Sequence, residues 1–411
     1  MHGLSVRYRA ALAALSLALV CSAAAAARAQ APAPGSVLIS EIRFTGPAGH
    51  GDEFAEFYNN TDAPVTVRDA SPPGTGQAGW AVVHSQRPGV VFFVIPEGTV
   101  ITARGHFLAV RKDDGSSAYN PGSYSLDAYP AGAATTATGD LTYAGNLYEA
   151  GGVALFNTAN PAGFTLANRL DAVGQGAAGP LYVEGTPLRG VGLRRAEWSA
   201  YRDLSSGRPR DTNDNRADFI QVDQDTRYIA VGFSRLGAAG PENLSSPVVN
   251  PGVTVSLLDP SACAGCEPNR SRSVAPDPAH PQCSARGTLT FRRLITNNTA
   301  QPVTRLRLRV IDITTLGTPG YETGAQADLR VLSSAPGAAL LTTGEPVAVA
   351  GSTLEQPPAQ PNCGGYNSSL SVGAVTLAQP LAPGQSVAVQ ITTGVVRGGA
   401  ARFFFQVESA P

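Results

Sequence analysis

Apolar and polar residues alternate along most of the chain beyond residue 36. A period of two predicts β-strands. In residues 37–44 the alternation places Leu38, Ile42 and Phe44 on one side and Glu41 and Arg43 on the other. Residues 53–59 are strand-like and stop at Asn59-Asn60-Thr61-Asp62, a turn cluster. The unbroken apolar run 91–95 before Pro96 predicts a central buried strand, and residues 106–110 and 153–156 repeat the theme. Seven further short strands are predicted at 253–258, 288–295, 303–315, 327–332, 371–377, 386–392 and 401–407. Between the two groups, Gly237, Gly240, Pro241, Pro247 and Pro251 predict a boundary. No segment holds a 3.6-residue period with caps. The expected fold class is all-β: two immunoglobulin-like β-sandwich domains, at 36–235 and 252–411, joined by a linker at 236–251.

The first residues follow a different pattern. Arg7 and Arg9 precede an apolar stretch over residues 10–20, and Ala27-Arg28-Ala29 stands before Gln30. This is the layout of a cleaved secretory signal peptide, residues 1–29. The apolar run is shorter than the roughly 20 residues that cross a bilayer, and no later run is longer. The expected location is therefore exported, whether secreted, periplasmic or on the cell surface, with no transmembrane segment.

Composition narrows the class. Gly 45 and Pro 32 of 411 residues favour turns over long helices. Losing residues 1–29 removes three of the 30 cations and none of the 31 acids, which leaves 27 against 31 and a formal charge of −4. That balance argues against a dedicated nucleic-acid binder. One cation is a lysine, Lys112, and the rest are arginines.

The segments 37–42, 53–60, 79–82, 95–101, 105–110, 152–156 and 170–174, in that order, resemble a lamin-tail domain, most distinctively at Glu56-Phe57-Tyr58-Asn59-Asn60. Residues 210–219 are similar to the closing segment of bacterial members. The resemblance covers roughly residues 36–235. It implies an immunoglobulin-like sandwich, no general catalytic activity, and a binding or architectural role in exported bacterial proteins. The C-terminal part looks like a companion sandwich of such proteins.

Candidate chemistry is sparse. Glu41, Glu53 and Glu56 could supply paired carboxylates, but the alternation puts them on an exposed strand face. His50, His84, His106 and His280 show no zinc spacing, there is no G-x-S-x-G elbow, and the glycines at 174 and 176 precede no helix that would cradle a phosphate. No catalytic residue and no cofactor is expected, although a triad assembled in space would leave no spacing signature. Asp211, Asn213, Asp214, Asn215 and Asp218 offer hard oxygens for calcium, but Arg216 occupies the sixth position, where an EF-hand loop needs glycine. The competing expectation is a turn in which these side chains cap their own backbone.

Cys263, Cys266, Cys283 and Cys363 survive signal removal, and export favours two disulfides over zinc. Crowding of the first two predicts that Cys263 and Cys266 reach separately to Cys283 and Cys363, pinning a polar loop at 259–284. Tyr119, Tyr124, Tyr129, Tyr143 and Tyr148 lie in or beside a Gly-, Ser- and Ala-rich segment at 113–150, the composition of adaptable binding loops. Arg305, Arg307 and Arg309 alternate with Leu306, Leu308 and Val310, which predicts an outward arginine row, with Arg292 or Arg293 beside it across a hairpin. Such a row suits weak, screened binding of an anionic polymer.

The leading functional expectation is a non-enzymatic exported module with a protein or glycan partner on the cell surface. The alternative is a carbohydrate- or anionic-polymer-binding protein, with Trp80, Trp198, Tyr201 and the loop tyrosines as aromatic candidates, although the resemblance places Trp80 after a strand-start glycine and so in the core. A hydrolase accessory protein ranks below both.

Overall fold

The computed structural model describes residues 32–44, 53–112, 139–147, 151–176, 178–189, 198–223, 234–317, 325–355 and 362–411, Trp198 by its backbone alone. The fold is all-β. The first part contains β1 Val37–Arg43, β2 Phe54–Asn59, β3 Val65–Thr66, β4 Gly79–His84, β5 Phe93–Pro96, β6 Val100–Ile101, β7 His106–Arg111, β8 Leu141–Tyr143, β9 Gly152–Phe156, β10 Arg169–Gly174, β11 Trp198–Arg202, β12 Phe219–Asp223 and β13 Ser234–Leu236. One helical turn, α1 Asn215–Asp218, precedes β12. A seven-stranded sheet runs β13-β12-β11-β1-β2-β7-β8 and faces a four-stranded sheet, β10-β9-β4-β5.

Between these sheets Ile39, Ile42, Phe57, Trp80, Val82 and Leu155 are fully buried. The face assignment of β1 departs from simple alternation. A bulge between Ile39 and Glu41 shifts the register against β2, so Val37 and Ile39 share the core with Ile42 and Phe44. β5 is an edge strand, not a central one, because the apolar run 91–95 pairs only with β4.

The second part contains β14 Val248–Val249, β15 Val253–Leu257, β16 Arg270–Ser273, β17 Thr288–Asn297, β18 Arg305–Ile313, β19 Asp328–Leu332, β20 Gly337–Leu340, β21 Pro346–Val349, β22 Thr353–Leu354, β23 Ser369–Ser371, β24 Ser386–Arg397 and β25 Phe403–Ala410. One sheet runs β14-β25-β18-β23-β22 and the other β15-β17-β24-β19, with β16 also on β17. Leu306, Leu308 and Val310 enter their shared core with Ile295, Ile391 and Val389. Since β17 and β18 belong to different sheets, Arg292 and Arg293 do not lie beside the β18 row.

Both sandwiches turn the same corner with the same residues. Asn59-Asn60-Thr61 and Asn297-Asn298-Thr299 are each followed, two residues on, by Pro-Val-Thr. Asn59 is fully buried and its amide donates to the carbonyls of Ala63, Ile101 and Thr102. Asn297 is equally buried and donates to those of Gln301 and Leu381. In each corner the threonine backbone N–H donates back to the asparagine Oδ1.

Residues 236–251 are not a free linker. Leu236, Ala238, Ala239 and Glu242 are buried as a strap between the two sandwiches. The strap runs beside Tyr366, whose carbonyl accepts from Ala238 N at 3.0 Å and whose N–H donates to the Leu236 carbonyl at 2.9 Å. Gly237 is required there: a Cβ would stand 2.0 Å from the Tyr366 carbonyl oxygen. The core of the second part also takes in Tyr201, Leu204 and Val222 from the first.

The disulfides are Cys263–Cys266 and Cys283–Cys363, so the crossed arrangement expected from crowding is incorrect. Three residues apart on a tight turn, Cys263 and Cys266 have Cα atoms 5.1 Å from each other, within bridging range. Among the described residues no helix is long and apolar enough to cross a membrane.

Candidate functional site: a buried ionic seam

The residues that looked chemical in sequence converge where the outer face of the seven-stranded sheet meets the outer face of the β18/β25 sheet. Strand pairing sets the positions. Glu41 and Glu56 are cross-strand partners on β1 and β2. His106 on β7 pairs with Tyr58, two residues beyond Glu56, so all three side chains share a face. From the other side Arg307 and Arg309 project from β18, with Glu408 of β25 directly opposite Arg307. Glu242 of the strap stands between the layers.

This geometry corrects two expectations. Arg307 and Arg309 point out of their own sandwich, as the alternation requires, but they are 7% and 1% exposed, because the first sandwich and the strap cover that face. Arg305, at the rim, alone stays exposed, and its Nη1 donates to the Ser245 carbonyl. Glu41, Glu53 and Glu56 are likewise buried rather than solvated, for the same reason or under the β8 segment, where Leu147 N donates to Glu53.

The charges neutralise one another closely. Arg307 reaches Glu408 at 2.6 and 2.7 Å and also pairs with Glu242. Arg309 binds Glu408 at 2.8 Å through Nε, Glu242 at 2.7 Å through Nη2 and Asn367 Oδ1 at 2.5 Å through Nη1. His106 lies between two carboxylates, with Nδ1 at 3.0 Å from Glu56 and Nε2 at 3.2 Å from Glu242. Imidazolium can donate at both ends of such an arrangement. Glu56 also accepts from Ser40 Oγ at 2.5 Å and from Glu242 N at 2.6 Å. Burial opposes the charge on Glu408, but the two guanidiniums outweigh it and hold the carboxyl down at about 2. Glu41 has the opposite balance: burial and the neighbouring Glu56 push it well above the usual range, and it pairs with Ser199.

Glu56, His106 and Glu242 bring three ligand-type atoms within 4.8 Å of one another. The donor set does not suit a divalent cation, because Glu242 already holds two guanidiniums that would repel one. A cavity of 20 Å³ remains, lined by Tyr58, Arg104, His106, Tyr201, Glu242 and Arg309 among others. It has room for about one water molecule.

The Asp/Asn cluster serves a second buried cation, Arg202. This side chain is fully buried and meets Asp171 through Nη2 at 2.7 and 2.8 Å, with Asp211 and Asp218 each 3.5 Å from Nη1. The other candidate oxygens cap backbone. Asp214 caps α1 and accepts from Thr186, Asn215 Oδ1 accepts from Gly174 N and Glu184 N, and Asp218 accepts from Thr212. Asn213 takes a positive φ of 57° in the same turn.

The aromatic candidates scatter. Tyr143 on β8 is 4% exposed and stacks on Phe93 with ring centroids 4.9 Å apart, so it is core rather than loop surface. Trp80 is fully buried, its indole N–H donating to the Arg68 carbonyl, and Tyr201 is buried beside Tyr366. Tyr119, Tyr124, Tyr129 and Tyr148 lie outside the described residues, as does the Trp198 side chain.

Glu242, Glu408 and Asn367 were missed in the sequence. Glu408 sits in an alternating strand like any outward acid, and Glu242 in a Gly/Pro-rich stretch. The one available signal was the unbroken Arg-x-Arg-x-Arg row, which on a buried face requires acids to meet it. No family model matches the chain, and no curated protein or solved structure matches it either.

Proposed function

We propose that the chain is an exported, non-enzymatic binding or architectural module of the lamin-tail type, acting in the cell envelope or outside the cell. The observation that supports this most is the seam. The titratable cluster that could have been an active site is consumed in fastening two sandwiches together, and its cavity is far below the several hundred Å³ of a small-molecule site. Two disulfides fit an oxidising compartment. The rigid pair of sandwiches then serves as a scaffold whose exposed loops meet a surface protein or glycan.

The test has two arms. The exported chain, collected from the producing cell and sequenced from its N-terminus, is expected to begin at Gln30. The same material is expected to turn over nothing in a broad hydrolase panel and to be retained on a glycan array or on envelope fragments. Retention in the cytoplasm with an intact N-terminus refutes export. Turnover abolished by Glu56→Gln refutes the non-enzymatic reading.

A second reading, weak anionic-polymer binding, moves from the β18 row to the β16 edge, where Arg270, Arg272 and Arg286 are exposed. Retention on heparin at low salt, lost in the triple Ser variant of these arginines, is its expected signature. No retention at low salt rules it out.

A further inference from the structure

The two disulfides occupy opposite settings. Cys283–Cys363 spans 80 residues, and its cysteines are 2% and 4% exposed against Leu332. Cys263–Cys266 closes a four-residue turn with both cysteines exposed. That turn is held without its sulfurs. The amide of Asn269, itself fully buried, donates to the carbonyls of Asp259 at 2.8 Å and of Ala262 and Cys263 at 3.2 Å, and accepts from Asp259 N at 2.8 Å. Cys266 N donates to the Cys263 carbonyl at 3.0 Å, and Arg270 N to the Cys266 carbonyl at 2.8 Å. Asp259 fastens the preceding residues through Ser261 and Thr342. A bond that is exposed, closes a very short ring and is unnecessary to its own turn contributes reactivity more than stability.

A cation stands beside it. The guanidinium of Arg270 lies 3.1–3.6 Å from where a Cβ on Gly265, the residue before Cys266, would be. Positive charge near a cysteine favours its thiolate.

We propose that Cys263–Cys266 is a thiol–disulfide exchange site whose reactant is an external thiol or dithiol. A thiolate attacks one sulfur, and the S–S bond breaks with its electron pair leaving on the other sulfur. This gives a mixed disulfide and a free thiolate beside Arg270. A second thiolate then displaces the bound cysteine. The balance is two thiols oxidised to one disulfide, with Cys263 and Cys266 both reduced. In reverse, the reduced pair opens a partner's disulfide. Cys283–Cys363 keeps the sandwich closed throughout. The inference is independent of the binding role proposed above.

The full oxidised chain is treated with graded dithiothreitol at neutral pH, quenched with N-ethylmaleimide and mapped by peptide mass. Cys263 and Cys266 are expected to label at least tenfold faster than Cys283 and Cys363, with an unchanged circular dichroism spectrum. The double variant Cys263→Ser, Cys266→Ser is expected to keep the parent urea midpoint. In glutathione buffers the pair is expected to pass through a mixed disulfide on one of these two sulfurs. Simultaneous labelling of all four cysteines, labelling of none before unfolding, or a lowered midpoint in the double variant overturns the proposal. Arg270→Gln is expected to slow the first exchange step severalfold at neutral pH, and an unchanged rate removes Arg270 from the site.

Discussion

Replacing Glu408 by Gln tests the seam directly, because it removes a charge while keeping the shape. In the parent, two buried guanidiniums share the carboxylates of Glu408 and Glu242. In the variant they share Glu242 alone, and an amide N–H faces one of them. Removing one partner of a buried pair costs about 3–5 kcal/mol, since the remaining charge stays buried and unmatched. The direction agrees: the two guanidiniums outweigh burial and hold the carboxyl below its ordinary value, so the fold favours its charged form. The expected loss is therefore about 3–5 kcal/mol at neutral pH, measured by urea denaturation with fluorescence and circular dichroism followed together. The sign in pH follows from the depressed carboxyl. Its contribution is fully present above about pH 4.5 and is lost as pH falls toward 2 and below. The parent should thus lose stability over that window, and Glu408→Gln should lose less. Pairing the change with Arg309→Met is expected to cost less than the sum of the two single changes. A Glu408→Gln loss under about 1 kcal/mol, or a strictly additive double variant, refutes the seam as a coupled network.

Further expectations follow from other contacts. Arg202→Met strands Asp171 and Asp218 in the first sandwich and is expected to cost about 3 kcal/mol or more; calcium is expected to leave the melting temperature of the parent unchanged, and a clear rise lost in Asp211→Ala and Asp214→Ala would show that the loop binds the ion. Gly237→Ala drives a methyl group into the Tyr366 carbonyl and is expected to lower the urea midpoint, while Gly74→Ala, in open space, is not. Loss of Cys283–Cys363 by double Ser substitution is expected to cost roughly 4 kcal/mol, from the loop it closes, measured by thermal and urea melts.

The sequence was most informative where one strand decides the outcome alone. The alternation of β18 correctly sends Leu306, Leu308 and Val310 into the core. It says nothing about what meets Arg307 and Arg309, because Glu242, 65 residues before Arg307, arrives with the strap, and Glu408, about 100 residues on, arrives with the pairing of β25 onto β18. The β1 faces were misread because a bulge consumes one residue of the period, and bulges carry no composition mark here. The run 91–95 looked central because it is apolar, yet Phe92 and Phe93 earn their burial from Tyr143 on a neighbouring sheet rather than from strands on both sides. The Asp/Asn cluster was read as a turn with spare oxygens; the cation that occupies part of it is Arg202, nine residues before Asp211 and unremarkable in sequence. The shared Asn-Asn-Thr…Pro-Val-Thr corner stands in the sequence as a repeat that the alternation pattern does not bring out, and it marks the same bend in both halves.

The position of Glu408 also carries a consequence for synthesis. A ribosome releases Glu56, then Glu242, then Arg307 and Arg309, and Glu408 only after all of them. Until that strand emerges, a partly made chain holds two arginines, a histidine and two glutamates destined for the same dry layer, with the carboxylate that meets both arginines still absent. Water is the better environment for every one of them at that stage. The second half cannot close its core before then either, because β25 lies between β14 and β18 in its sheet and Val407 belongs to that core. Placement of the final strand completes the second sheet and the pairing of both arginines at once, so a chain cut short before residue 408 is expected to lack both.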